Sequence, residues 1–300
     1  MKILLTGSSG LIGKKLNGAL KARGDEVLIA KRGTTSERNT VSWEIDRAEL
    51  SGVGLSNLDA VVHLAGAPIA QKRWSPERKA EIYDSRINAT RSIFQAVEKL
   101  EVPKVRFVIA SAIGFYGDQG DKILDEKSPG GVGFLAKVTT DWEKAAAPIN
   151  QDGWSVALAR TGIVLDSRGG ALAKQLPLFK LGLGAKLGAG TQWSSWIHIN
   201  DEVSALVFLL DHPEIEGPVN LVAPNPVTNL AFTRALGNAL HRPAVLGAPS
   251  VILKALLGAE MAQEMLFSSA RILPSVLDSA GFKFEFPEIN GALANLVANK

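Results

Sequence analysis

The sequence predicts an α/β fold built on a doubly wound parallel sheet, and three observations predict it. Short apolar runs alternate with helical patterns through the first half of the chain, the arrangement that sandwiches a parallel sheet between helices. The run from Asp59 to Leu64 is apolar almost throughout, as a strand buried on both faces must be. Glycines recur every third residue at Gly7, Gly10 and Gly13, between the first strand-like run and the first helical pattern.

Taken in order, Lys2 to Thr6 reads as a strand, Leu11 to Ala22 as a helix and Glu26 to Ala30 as a second strand. Val41 to Ile45 is a weaker third strand, and Asp59 to Leu64 the next. A long helix is expected from Pro76 to Lys99, with Ser75 as its cap and proline in its first turn. Val105 to Ala110 is strand, Phe134 to Ala147 helix and Val156 to Ala159 strand. After about Asp166 the texture changes: glycines crowd at 169–170 and 182–190, and the alternation lapses. Asp201 to Leu210 still reads as a core helix and Pro218 to Val222 as a strand, and from Asn225 the chain is mostly helical. These elements make a Rossmann-type domain over residues 1–165. A smaller, mostly helical C-terminal lobe follows over 166–300, with some segments returning to the main sheet. That lobe is expected over the carboxyl ends of the strands, where open α/β sheets bind ligands.

Composition narrows the function. Three hundred residues, 46% of them hydrophobic, suffice for a sizeable core. The 33 Lys and Arg against 30 Asp and Glu leave a small positive excess with no basic run, which argues against a nucleic-acid partner. The chain has no cysteine, and so no disulfide, thiol nucleophile or thiolate metal site. Its four histidines, His63, His198, His212 and His241, lack the paired spacing of a zinc site, so no metal is expected. No apolar run approaches membrane-spanning length, and Met1 leads straight into a strand without room for a targeting peptide. The expectation is a cytoplasmic protein with a small-molecule substrate and no membrane partner; oligomerisation stays open.

The segment Thr6-Gly7-Ser8-Ser9-Gly10-Leu11-Ile12-Gly13 has the form of a phosphate-binding turn. Gly7 permits the tight turn, Gly10 admits a pyrophosphate close to the backbone, and Gly13 lets the helix pack close to the strand. The helix N-terminus at Leu11 and Ile12 offers its unpaired N–H groups to the anion, with Thr6 and Ser9 flanking it. A dinucleotide is therefore the expected ligand. The second strand exits into Lys31-Arg32-Gly33 with no carboxylate there, since Glu26 stands at its other end. An acidic residue at that exit would take the ribose hydroxyls of NAD, whereas the planar fork of Arg32, assisted by Lys31, suits the 2′-phosphate of NADP(H). Leu64-Ala65-Gly66, closing the Asp59–Leu64 strand, is small enough to lie against adenosine and ribose. His63 alone reads more readily as a core histidine than as a ligand.

Together these features resemble the extended, epimerase-like short-chain dehydrogenase/reductases, in the loop, in His63-Leu64-Ala65-Gly66 and in Trp196-Ile197-His198-Ile199-Asn200-Asp201. A more specific resemblance is to the atypical branch called "epimerase family protein", sometimes labelled SulA-like. Arg73-Trp74, Glu81 to Arg86, Ser111 to Gly117, Phe134-Leu135, Trp142-Glu143, Arg160-Thr161-Gly162, Gly169-Gly170 and Phe286-Pro287-Glu288 carry it across almost the whole chain. The resemblance implies that Glu81 and Arg86 contribute to the cofactor pocket; an exposed charge pair on a helix face is an equal reading of the same residues.

Reductases of that superfamily use a Tyr with a Lys four residues on, plus a Ser or Thr that polarises the substrate oxygen. Here Tyr83 is followed at that spacing by Ile87 and Tyr116 by Gly120, so the pair is absent. Three residues remain as candidates: Tyr116 as proton donor, Ser111 as substrate hydrogen-bonding partner and Lys137 as a positive charge. Each also has a structural reading, as loop anchor, strand-end cap and solvated helix residue. Trp193, Trp196 and His198 are candidates for the substrate cleft or the core. Two functions follow: an NADP(H)-dependent oxidoreductase or epimerase-like enzyme acting on a carbonyl or sugar-nucleotide, and a noncatalytic NADP(H)-binding protein that presents a surface to a partner.

Overall fold

The structure, a computed structural model, describes residues 1–33, 37–146 and 153–298. An eight-stranded sheet organises the chain. Its strands are β1 (Lys2–Thr6), β2 (Glu26–Arg32), β3 (Thr40–Glu44), β4 (Glu49–Ser51), β5 (Ala60–His63), β6 (Val105–Ala112), β7 (Trp154–Thr161) and β8 (Gly217–Leu221). They lie in the order β8-β7-β6-β5-β1-β2-β3-β4. The pairings β3·β2, β2·β1, β1·β5 and β5·β6 are all parallel. Strand order reverses direction between β1 and β5, so the two loops leaving their carboxyl ends flank the crevice where doubly wound sheets bind ligands.

Helix α1 (Leu11–Arg23) returns the chain from β1 to β2 and ends at Gly24, whose φ of 91° is left-handed, the backbone state glycine adopts without a Cβ penalty. Helix α2 (Pro76–Glu98) opens as expected: Ser75 accepts a hydrogen bond from the Arg78 N–H at 3.2 Å, a cap contributing about 1 kcal/mol. Ala89, Ile93, Phe94 and Val97 recur along one face of α2 and join Leu4, Val61, Phe107 and Trp154 in the main core. Phe107 centres that cluster, its ring 4.4 Å from Phe94 and 4.9 Å from Trp154. Full burial of each such side chain stabilises the fold by roughly 1.5–3 kcal/mol. Helix α3 spans Phe134–Ala146; the expected last residue, Ala147, lies outside the described residues.

The chain divides into two compact units. One comprises Met1–Ser111, Val138–Ala159 and Val203–Val219; the other comprises Ala112–Lys137, Arg160–Glu202 and Asn220–Lys300. The units therefore exchange segments on both sides of residue 165, where the sequence texture changes. The second unit contains α4 (Gly170–Lys180), the first turn of α5 (Ile199–Asp211), α6 (Asn229–Ala239), α7 (Ser250–Leu257) and a closing helix over Ile289–Ala298. Short two-stranded ladders join them, such as Ala185–Leu187 with Leu246–Ala248 and Ile163–Leu165 with Trp196–His198. Two- and three-residue strands are too short for an alternating pattern to show, and β4 escapes sequence analysis for the same reason.

Candidate functional site

At Gly7 and Gly13, on either side of the turn between β1 and α1, nothing larger than glycine fits. Gly7 has φ +69°, and a β-carbon there would stand 2.6 Å from the carbonyl of Leu64 and 2.8 Å from the Ala65 nitrogen. The first turn of the loop thus lies directly against the end of β5. A β-carbon on Gly13 would come 2.2 Å from the Gly7 oxygen, and one on Gly10 3.3 Å from it. The Gly10 N–H is itself bonded to that oxygen at 3.0 Å. Gly10 caps α1 without a side-chain acceptor, and the first turn of α1 holds no acidic residue. Its N–H groups at Leu11 and Ile12 are orphan donors by helix geometry, and the helix dipole adds partial positive charge. Ser9 and Gly10 are exposed beside them. The absent β-carbons let the backbone of Gly7 pack against Leu64 and that of Gly13 against Gly7, and the orphan donors at the head of α1 could hold a phosphate.

Thr6 plays a supporting part. It is fully buried, and its Oγ1 lies 2.8 Å from His63 Nδ1 while accepting from the Leu64 and Ala65 N–H groups at 3.2 and 3.3 Å. The start of α2 then braces the chain leaving β5. Ser85 Oγ accepts from the Ala67 N–H at 3.1 Å, and Arg78 donates to the Pro68 carbonyl and pairs with Glu81. Trp74 Nε1 donates to Ile69 O at 3.0 Å. Arg86 donates to the carbonyls of Ala67 and Ile82 at 3.1 and 2.9 Å. Its guanidinium lies over the Trp142 ring at 5.2 Å and beside Gly66, where a β-carbon would touch it at 3.3 Å. Burial, with Arg78 nearby, pushes the Arg86 pKa down to about 10, which leaves it charged at neutral pH. Glu81 itself is exposed and reaches the loop through Arg78.

At the exit of β2, Lys31 is bound to Glu37, Nζ to carboxylate, at 2.6 Å. Arg32 is exposed and has no ion-pair partner among the described residues. Glu37 therefore neutralises one cation of the pair and leaves the forked one available.

The three acid/base candidates fall in different places. Ser111, buried near the end of β6, donates to Glu143 Oε1 of α3 at 2.6 Å. In the same unit, Tyr83 OH donates to Asp141 Oδ2 at 3.0 Å and Trp142 Nε1 to Thr90 at 2.7 Å. Tyr116 belongs to the other unit and is wholly buried. Its hydroxyl donates to Asn220 Oδ1 at 2.7 Å and accepts from Arg160 at 2.9 Å, and Arg160 stacks on Phe115 at 3.6 Å. Burial raises the Tyr116 pKa, outweighing the opposing pull of Arg160. Lys137 lies exposed in the first turn of α3. Trp196 and His198 are core residues, the histidine ring stacked 3.9 Å from Phe286. Trp193 is half-buried, with Nε1 on Asp121.

Sequence reasoning assigned no functional role to Arg78 or Glu202, and Ser85 and Glu143 entered only as part of the resemblance. Arg78 and Ser85 sit one and three turns into a capped helix that follows the loop at the β5 end, and that adjacency was the available signal. Glu202 is fully buried, bonded through one oxygen to Thr161 at 2.8 Å with the other oxygen unpartnered. Burial pushes its pKa up to about 8.

A mostly parallel sheet, antiparallel only at β3·β4 among the described pairings, with its switch point between β1 and β5 and a glycine turn wedged against that point, defines a Rossmann-type nucleotide-binding fold. The chain belongs to the NAD dependent epimerase/dehydratase family, which it matches over residues 3–222. Residues 248–296 match a domain of unknown function, DUF1731. It is 44% identical to "Epimerase family protein Mb2239" of Mycobacterium bovis, over 97% of this chain and 96% of that one. It is 35% identical to the human "Epimerase family protein SDR39U1", over 99% of this chain and all of that one. Among solved structures, the human SDR39U1 isoform crystallised with NADPH superposes with a TM-score of 0.91 at 32% identity, each chain fully covered. A nucleoside-diphosphate sugar epimerase from Corynebacterium glutamicum gives 0.78 at 33% identity, all of this chain matching 59% of that one.

Proposed function

We propose that this chain binds NADP(H) in preference to NAD(H) and uses it as an oxidoreductase or nucleotide-sugar epimerase-like enzyme. The observation that carries the cofactor choice is Arg32, exposed at the β2 exit and without an ion-pair partner among the described residues, while Lys31 is held by Glu37. A guanidinium so placed matches the 2′-phosphate bidentately, and the human relative was crystallised with NADPH. The pyrophosphate would rest on the N–H groups of Leu11 and Ile12, with Gly7 and Gly13 allowing the close backbone packing that shapes the turn and Gly10 adding no side chain at the helix start. Leu64, Ala65 and Gly66 would face the adenosine, on the loop that Arg86, Arg78 and Glu81 brace. When bound, the cofactor supplies hydride exchange at its nicotinamide ring.

On the protein side, Ser111 is the residue we assign to the substrate oxygen. Its hydroxyl proton is directed at Glu143, which orients the oxygen lone pairs away from that carboxylate. A small carbonyl compound or a sugar-nucleotide is the substrate class, and Lys137 would supply positive charge. A chain without cysteine suits a reducing compartment, most simply the cytoplasm. Titrating the protein with NADPH and with NADH, following nucleotide fluorescence, tests the reading: NADPH should bind tightly and NADH weakly, and failure of both to bind overturns it.

A second reading, a noncatalytic NADP(H) binder that presents a surface to a partner, is favoured by Tyr116. The hydroxyl that would otherwise donate a proton is buried and committed to Asn220 and Arg160. Turnover with a panel of carbonyls and sugar-nucleotides supports the enzyme; cofactor-dependent capture of a partner without turnover supports the binder.

A further inference from the structure

We infer that the second unit carries a docking face for an anionic lipid surface, formed by the end of α4, the strand pair 185–187 with 246–248, and α7. Thirteen large apolar side chains stand exposed among the described residues, and eight of them lie between positions 178 and 256. Leu181 is 73% exposed, Val245 85% and Val251 75%. Helix α7, Ser-Val-Ile-Leu-Lys-Ala-Leu-Leu, buries none of its residues.

These segments are neighbours in space. Ala185–Leu187 pairs with Leu246–Ala248, and the Gly188 N–H donates to Ala248 O at 2.9 Å. A β-carbon on Gly182 would touch Pro243 at 3.7 Å, and one on Gly188 would touch Ser250 at 3.9 Å. Lys254 of α7 lies 5.7 Å over the Phe267 ring.

Their charge is mostly basic, with exposed Glu260 the first carboxylate beyond α7. The chain holds 30 Asp and Glu, yet none falls in residues 167–200 or 217–259. Lys180, Lys186, Arg242 and Lys254 are interleaved with the exposed apolar residues. The signal is thus a stretch emptied of carboxylates rather than a run of cations. Exposed cations such as Lys180 and Arg242, interleaved with protruding apolar side chains, match the boundary of an anionic bilayer, where the apolar groups enter the acyl region and the cations meet the headgroups. A second copy is the poorer occupant, since a two-fold contact sets the same basic patch against itself. No helix among the described residues is long and apolar enough to cross a membrane, and docking at the surface requires none.

The test is sedimentation of the whole protein with vesicles of phosphatidylcholine alone and of phosphatidylcholine mixed with phosphatidylglycerol. The protein should pellet only with the anionic vesicles and be released by salt. Lys180→Gln and Arg242→Gln should each lower partitioning about fivefold, the value of one cation near such a surface. Val251→Ser should lower it with charge unchanged. Circular dichroism and NADPH titration matching the parent protein would show these exposed variants folded. No pelleting with anionic vesicles, or equal pelleting of parent and variants, overturns the inference. So does a dimer in light scattering that Val251→Asp dissociates, which would give the face to a second copy.

Discussion

The Thr6 hydroxyl and His63 Nδ1, 2.8 Å apart, join the carboxyl ends of β1 and β5 at the switch point of the sheet. The hydroxyl has one proton and already accepts from the Leu64 and Ala65 N–H groups, so its proton goes to Nδ1. That fixes the neutral imidazole with its own proton on Nε2, an atom buried without a hydrogen-bond partner, on a ring that stands T-shaped to Trp43. The bond adds a side-chain tie at the last rung of the parallel ladder that already sets Thr6 opposite His63.

His63 is expected to limit stability in acid. Burial pushes its pKa from 6.5 down to about 3, so between those values the unfolded chain binds a proton that the folded chain does not. Stability therefore falls as pH drops below 6.5, by up to about 1.4 kcal/mol per pH unit from this group. Denaturant unfolding across that window should show the slope, and His63→Gln should flatten it.

Glu202 has the opposite sign. Its folded pKa, pushed up to about 8 from 4.5, means the folded chain holds a proton that the unfolded chain releases. Its contribution is complete below pH 4.5 and is lost as pH rises towards 8, again with a slope of up to about 1.4 kcal/mol per unit. Glu202→Gln keeps the shape and the bond to Thr161 while removing the ionisation. Its melting temperature should lose that alkaline dependence.

Substituting Gly13 by alanine should damage both fold and site. The new methyl would sit 2.2 Å from the Gly7 oxygen, a backbone atom that moves only if the phosphate loop moves. The expected cost is about 1–3 kcal/mol, with NADPH affinity reduced more than tenfold. Gly10→Ala meets its nearest atom at 3.3 Å and should fold normally; calorimetry and nucleotide titration on both variants check the contrast.

Tyr116→Phe should destabilise the protein while leaving NADPH affinity unchanged. Removing the hydroxyl strands Asn220 Oδ1 and one Arg160 N–H in a buried network, which costs about 1–3 kcal/mol. A melting temperature equal to the parent's would contradict the anchoring role given to Tyr116.

Much of this was legible in the residues. Strand β1, Lys2–Thr6, extends one residue either side of the apolar run Ile3–Leu5 that announces it, and Ser75-Pro76 marks the start of α2 because capping is a local interaction. The glycine spacing announces the phosphate loop because each glycine answers a steric demand set within a few residues. The bracing of the β5 exit by Arg78 and Ser85 was not legible, since it depends on which carbonyls happen to face α2. The Ser111–Glu143 bond spans 32 positions and exists only once the sheet has brought α3 beside β6. Tyr116 stood in a motif that drew attention to its hydroxyl, while burial by residues around positions 160 and 220 decided where that hydroxyl points.

Calorimetric titration of the parent and Arg32→Asp with both reduced nucleotides tests most directly whether Arg32 reads the 2′-phosphate. Replacing a charge-assisted bidentate contact by a repulsive carboxylate should weaken NADPH binding by about 3 kcal/mol or more, while NADH binding, which has no phosphate there, stays level or improves. Equal losses for the two nucleotides would contradict the account and move the selectivity of this protein away from the end of β2.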